Sequence, residues 1–130
     1  MRQIIYKSVT TNPRGHAEDD AVAITRQALL RNGLDGITGL LYTQGTDFLQ
    51  VIEGPDDSIA DLLASLLRDP RHRDLRVLVD RETEDREFGD WMMLHRERRE
   101  TVDAFDRRLH ALLLDVSHET ASYFRALMPA

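Results

Sequence analysis

Gln50 sits in the middle of Phe48-Leu49-Gln50-Val51-Ile52, on the same side of an alternating strand as Phe48 and Ile52. A strand this apolar reads as central, which buries the carboxamide, and a buried amide without a partner costs about 1–3 kcal/mol. Tyr6, in the run Ile4-Ile5-Tyr6-Lys7, makes the same demand, because a buried phenol needs a partner for its hydroxyl. A hydrogen bond between Tyr6 and Gln50 across neighbouring strands satisfies both. Whether that pair is an incidental part of the core or a functional device stays open on these residues alone. Asn32 is a third polar group, at the end of a helical stretch and near the strand that carries Thr38. Helix-ending chemistry is the simpler account of it. Trp91 and Met93 share one face of a late strand, where plain packing is the simpler account.

Two basic clusters, Arg68 to Arg76 and Arg96 with Arg98 and Arg99, are interrupted by acids and not interleaved with exposed aromatics. Solvated loop charges explain both. Within the first, Asp69-Pro70-Arg71-His72 is the stretch that could meet the polar tail of a ligand. Enzyme signatures are missing. Gly33, Gly36 and Gly39 are spaced by three, unlike a dinucleotide fingerprint, and His118-Glu119 is followed by Ser122 where a zinc helix needs its second histidine. The five histidines share no metal-ligand spacing, and no triad assembles from the serines and acids.

The chain has 130 residues, 17 basic and 23 acidic side chains, and a net charge of −6, which disfavours a nucleic-acid partner. It has no cysteine, so thiol catalysis, disulfides, thiolate metal sites and any photochemistry that traps a cofactor on sulfur are excluded. No apolar run approaches the roughly 20 residues a bilayer requires. The first residues, MRQIIYKS, carry no secretion signal, so a cytoplasmic protein is expected.

The elements that must position these groups follow from periodicity. Residues 3–8, 37–43, 47–53, 75–79 and 91–95 read as strands. Gln44-Gly45-Thr46 marks a hairpin between the second and third. Ala17, Ala21, Ile24 and Ala28 fall at helical spacing, with acids in the first turn and Gly33 as a C-terminal cap. A second helix follows Gly54-Pro55, with Asp56, Asp57 and Ser58 as candidate caps and Ile59, Leu62, Leu63, Leu66 and Leu67 as its stripe. The order β-α-β-β-α-β-β is a ferredoxin-like α+β arrangement, with two helices on one face of an antiparallel sheet. The strands are apolar on both sides, so the second face must also be covered. Two C-terminal amphipathic helices are expected to cover it, on this chain's sheet or on a partner's. Residues 1–96 then form the core and 97–130 a helical cap.

Five motifs taken in order carry a resemblance. Ile5-Tyr6-Lys7-Ser8, then Asn32 followed after four residues by Ile37-Thr38-Gly39-Leu40-Leu41-Tyr42, then Phe48-Leu49-Gln50-Val51-Ile52-Glu53-Gly54, then Asp69-Pro70-Arg71-His72, then Arg86 and Phe88 before Trp91-Met92-Met93 together resemble the BLUF family of blue-light sensors using FAD. The match runs from residue 3 to about 96, and the remainder looks like the cap of short, stand-alone members.

The resemblance implies a non-covalent FAD, which FMN or riboflavin could replace, held between the two helices on the sheet. It implies that Tyr6 donates an electron and a proton under light, and that Gln50, between Tyr6 and the flavin, is left rotated or tautomerised with a small red shift. Asn32 would bond the ring's polar edge, Ile24 would pack on the ring, and Asp69, Arg71 and His72 would lie near the ribityl chain and the O2 edge. Trp91 and Met93 match the switchable pair on the last strand, and Ser8 the serine that bonds the tryptophan. A photoreceptor of this kind is not an enzyme. It would act through a downstream effector protein that the sequence does not name, and its apolar cap helices point to a homo-oligomer. Two other readings fit the same fold: a small acylphosphatase-like enzyme, and a flavin-free interaction module.

Overall fold

Short β-rich runs separated by glycine and proline build the sheet. A computed structural model of the chain describes residues 1–11, 36–88 and 102–127. Its strands are β1 (Arg2–Thr10), β2 (Thr38–Gln44), β3 (Asp47–Gly54) and β4 (His72–Glu82), and its helices are α1 (Asp56–Arg68), α2 (Val102–Leu113) and α3 (His118–Leu127). The sheet is antiparallel with order β2-β3-β1-β4, in keeping with the ferredoxin-like arrangement expected from the sequence. The helix expected around 17–33 and the strand expected at 91–95 lie outside the described residues.

Local chemistry accounts for the boundaries. Gln44 pairs with Asp47, which leaves a two-residue turn with Gly45 at φ +58°, the left-handed first position that tight hairpins need. Pro55, rather than an acidic side chain, occupies the N-cap of α1, and no side chain caps it. Asp56 and Asp57 instead sit in the first turn and Arg68 in the last, complementing the helix dipole. The stripe Ile59, Leu62 and Leu66 is buried as expected, but Leu67 is 62% exposed. It lies one residue past the core-facing line and points to water. β4 is longer than the sequence reading at both ends, because its outward positions are charged and hide the period of two.

Ile4, Tyr6, Ile37, Leu41, Phe48 and Ile52 form one sheet face and pack with Ile59, Leu62 and Leu66 of α1. Ile5, Leu40, Tyr42, Leu49, Val51 and Val79 on the other face are also buried, as strands apolar on both sides require. The chain divides into two compact units, residues 1–95 and 96–130. In the second, Ser117 caps α3 by accepting the Thr120 amide at 3.2 Å, and Leu109, Leu113, Ala121 and Phe124 are buried. That cap is what stands at the His118-Glu119 pair.

Candidate functional site

Tyr6 and Gln50 are directly opposed residues of β1 and β3, the two inner strands among those described. Each is 2% exposed, and the Tyr6 hydroxyl donates to the Gln50 side-chain oxygen. The bond inferred from two misplaced polar residues is therefore present. Burial pushes the Tyr6 phenol well above its ordinary pKa, and the negative charge of Asp69 adds to the shift. The phenol is held neutral throughout the physiological range.

His72, at the start of β4, turns inward beside this pair. Its ring centre lies 6.2 Å from that of Tyr6 and 6.1 Å from that of Phe48, the latter edge to face. Nε2 lies 2.7 Å from the Leu66 carbonyl oxygen, which only accepts, so Nε2 carries the hydrogen. Nδ1 lies 2.7 Å from Ser8 Oγ, within hydrogen-bond distance. Ser8 and His72 thus tie β1, β4 and the end of α1 together. The resemblance aims Ser8 at Trp91 and His72 at the flavin; in this structure the two also bond each other.

Asp69 and Arg71 flank this corner. The Arg71 guanidinium meets the Asp69 carboxylate through Nε at 2.9 Å and Nη2 at 2.5 Å, and the Arg71 amide donates to the same carboxylate at 3.0 Å. These contacts hold the Asp69 carboxyl below its usual range. With Ser65, Arg68 and Pro70 the pair lines a shallow, open depression. Thr11 fastens the corner to the end of β1, its amide donating to the Arg71 carbonyl at 3.1 Å.

The opposite sheet face holds a polar cluster that the sequence reading missed. Glu53 is fully buried, and its carboxylate accepts the Glu87 amide at 2.8 Å, the Phe88 amide at 2.6 Å and Gln3 Nε2 at 3.0 Å. Gln3, opposite Glu53 in the ladder, also donates to Glu87 at 2.7 Å and accepts Arg81 Nε at 2.7 Å. Burial pushes the Glu53 carboxyl up, and its three donors offset only part of that. The signal was available: an acid ending the apolar run that drew notice to Gln50. Ile24, Asn32, Trp91 and Met93 lie outside the described residues.

Residues 1–94 match the family described as sensors of blue light using FAD, known as BLUF. The chain belongs to this family. The BLUF reading of the sequence and its ferredoxin-like fold are both borne out. The chain is 37% identical over 93 residues to the photoactivated adenylate cyclase subunit beta of Euglena longa, covering 72% of this chain and 11% of that protein. It spans about a tenth of the length of such curated relatives. Among solved structures, BlrB, a BLUF protein in its dark state, superposes with a TM-score of 0.69 at 31% identity, over 94% of this chain and 89% of that one. BlrP1 of Klebsiella pneumoniae gives 0.77 at 28% identity, over 96% and 32%, and has also been solved with FMN. A BLUF domain senses light and is not itself a catalyst; the cyclase activity is named for larger proteins.

The residues present fit the family's FAD. Gln50 offers a carboxamide, donor and acceptor in one group, to the polar edge of a ring. Apolar side chains pack around Gln50, and Arg68, beside the Asp69–Arg71 pair, offers a cation to an anionic tail. No described helix is long and apolar enough to cross a membrane.

Proposed function

We propose that this chain is a blue-light photoreceptor in which Tyr6 and Gln50 are the photochemical pair. The buried hydrogen bond between them is the observation that carries the reading. When bound, FAD supplies a chromophore that absorbs blue light and becomes a strong electron acceptor. Tyr6 is the residue placed to give up an electron and then its hydroxyl proton, both of which return when the charges recombine. Its burial keeps the proton on the phenol in the dark, so the transfer starts from one defined state. Gln50 accepts the phenol's hydrogen bond and is the group left rearranged, by rotation or by tautomerisation. Asp69 and Arg71 hold the polar part of the cofactor, with Ile24 and Asn32 at its ring. His72 lies beside Tyr6 and fixes the wall of that site.

The magnitude of the output follows. One rearranged buried hydrogen bond is worth roughly 0.5–1.5 kcal/mol, whereas moving an equilibrium from 1:99 to 99:1 takes about 5.5 kcal/mol. Light therefore biases an existing equilibrium about tenfold. We assign its transmission to the segment carrying Trp91 and Met93, and its reading to a downstream effector protein met by residues 97–130 in a homo-oligomer. The partnership of BLUF domains with cyclase in the Euglena proteins supports an effector of some kind.

An absorption spectrum of the protein purified with FAD tests the reading. A yellow protein whose spectrum shifts red under blue light, and reverts in the dark, is expected. A protein that stays colourless with FAD added, or a yellow one that never shifts, overturns it.

A further inference from the structure

Glu53 lies three residues from Gln50 on β3, and the odd separation places the two side chains on opposite faces of one strand. One strand therefore carries both the photochemical amide and a buried carboxylate. That carboxylate grips the amides of Glu87 and Phe88, the last described residues before the segment that bears Trp91. Arg86, just ahead of them, donates from Nη1 to Thr38 Oγ1 at 2.9 Å and to the backbone carbonyl of Glu53 itself at 3.2 Å. The turn leading to Trp91 is therefore fastened to β3 at both the main chain and the side chain of one residue.

We infer that Glu53 is a positioning residue for light signalling: its carboxylate fixes the chain entering the Trp91 segment to the strand that carries Gln50. The inference rests on the photoreceptor reading above and adds a mechanical link to it. Two amides held by the two oxygens of one rigid, buried carboxylate leave the entry to the segment little freedom. A rearrangement of the Gln50 side chain then acts on a segment whose entry is fixed, instead of being absorbed in a loose turn. A glutamine at position 53 keeps the shape but replaces one of the two acceptor oxygens with an NH₂, which meets an amide N–H donor against donor and loosens that anchor. Protonating the carboxyl has the same effect. The charged groups facing Glu53 are Glu87, whose carboxylate Gln3 bridges, and Arg81 and Arg86.

The test uses the full chain with FAD and two readouts on one sample. The flavin red shift reports the Tyr6–Gln50 face, and fluorine NMR of fluorotryptophan at the single tryptophan, Trp91, reports the segment beyond Phe88. Glu53→Gln is expected to keep the red shift and to reduce the light-minus-dark change at Trp91 at least about threefold. A Trp91 response in Glu53→Gln as large as in the wild type overturns the inference, and so does a wild type whose Trp91 signal ignores light while the flavin shifts. Absence of the red shift in the wild type is instead the failure of the photoreceptor reading.

Should Glu53→Gln not fold, the wild type carries the test by pH. Burial raises the Glu53 carboxyl above the ordinary glutamate range, so the pH is lowered stepwise while the protonation of that carboxyl is followed by its infrared band. The Trp91 response should shrink while the red shift persists, and a constant response as the Glu53 carboxyl titrates overturns the inference.

Discussion

Ser8 and His72 are joined through Oγ and Nδ1 at 2.7 Å, and the second ring nitrogen of His72 donates to the carbonyl of Leu66 at 2.7 Å. This places the imidazole in the architecture of the site whether or not it also touches a cofactor. Replacing His72 with Leu leaves a hydroxyl and a carbonyl buried without that ring, and should destabilise the flavin-free protein by about 1–3 kcal/mol. Urea unfolding checks this through a lower midpoint at an unchanged slope. Unaltered stability would instead assign the ring to the cofactor.

Gln50→Leu keeps the shape of the apolar wall and removes the acceptor of the Tyr6 hydroxyl. The variant should remain yellow with FAD and lose the red shift completely, as read by difference spectroscopy under blue light. Tyr6→Phe should also bind flavin and lose the reversible shift, because no phenolic hydrogen remains. Either variant retaining a full shift would remove the pair from the photochemistry.

The Asp69–Arg71 pair gives a pH dependence whose sign is fixed. Arg71 holds the Asp69 carboxyl below its ordinary value, so the folded state binds that proton less readily than the unfolded chain. The stabilisation is complete above the unfolded-state value of about 3.9 and is lost as pH falls through the lower folded-state value. Wild type should therefore exceed Asp69→Asn in stability at neutral pH by up to about 1 kcal/mol, since the pair is partly exposed. The two should converge in denaturation curves taken in strong acid.

A side chain at position 39 would collide with β3: a Cβ there falls 2.0 Å from the carbonyl oxygen of Val51. Gly39→Ala must push β2 away from its partner. A cost of about 1–3 kcal/mol is expected, read as a fall in Tm of roughly 4–8 °C per kcal/mol. Gly45→Ala meets no neighbour but sits at positive φ, so its smaller penalty is conformational.

Much of this was legible in the residues. Tyr6 and Gln50 announced themselves because each breaks the apolar pattern of a central strand, and a buried polar group constrains its surroundings to one partner. The hairpin at Gly45 and the stripe of α1 follow from backbone and period alone. Leu67 did not, because a helical stripe has an edge and only packing decides which side of it a leucine takes. Glu53 escaped notice since it closes its strand, where an acid reads as a solvated end. Its burial is set by Gln3 across the ladder and by amides 34 and 35 residues away, partners no local window contains. His72 reads as a ligand residue because it follows Asp69 and Arg71, whereas its bond to Ser8 depends on the bulged pairing of β1 with β4, which no local window contains.

The placement of Tyr6 and Gln50 on strands flanked on both sides limits what a photon can change. Their main chains are clamped by neighbours left and right, so shifting either would tear two rows of rungs together. The inexpensive degrees of freedom there are torsions beyond Cβ. Any lasting imprint of illumination must first be stored as side-chain geometry on a stationary frame, and motion of the polypeptide can begin only where that frame ends.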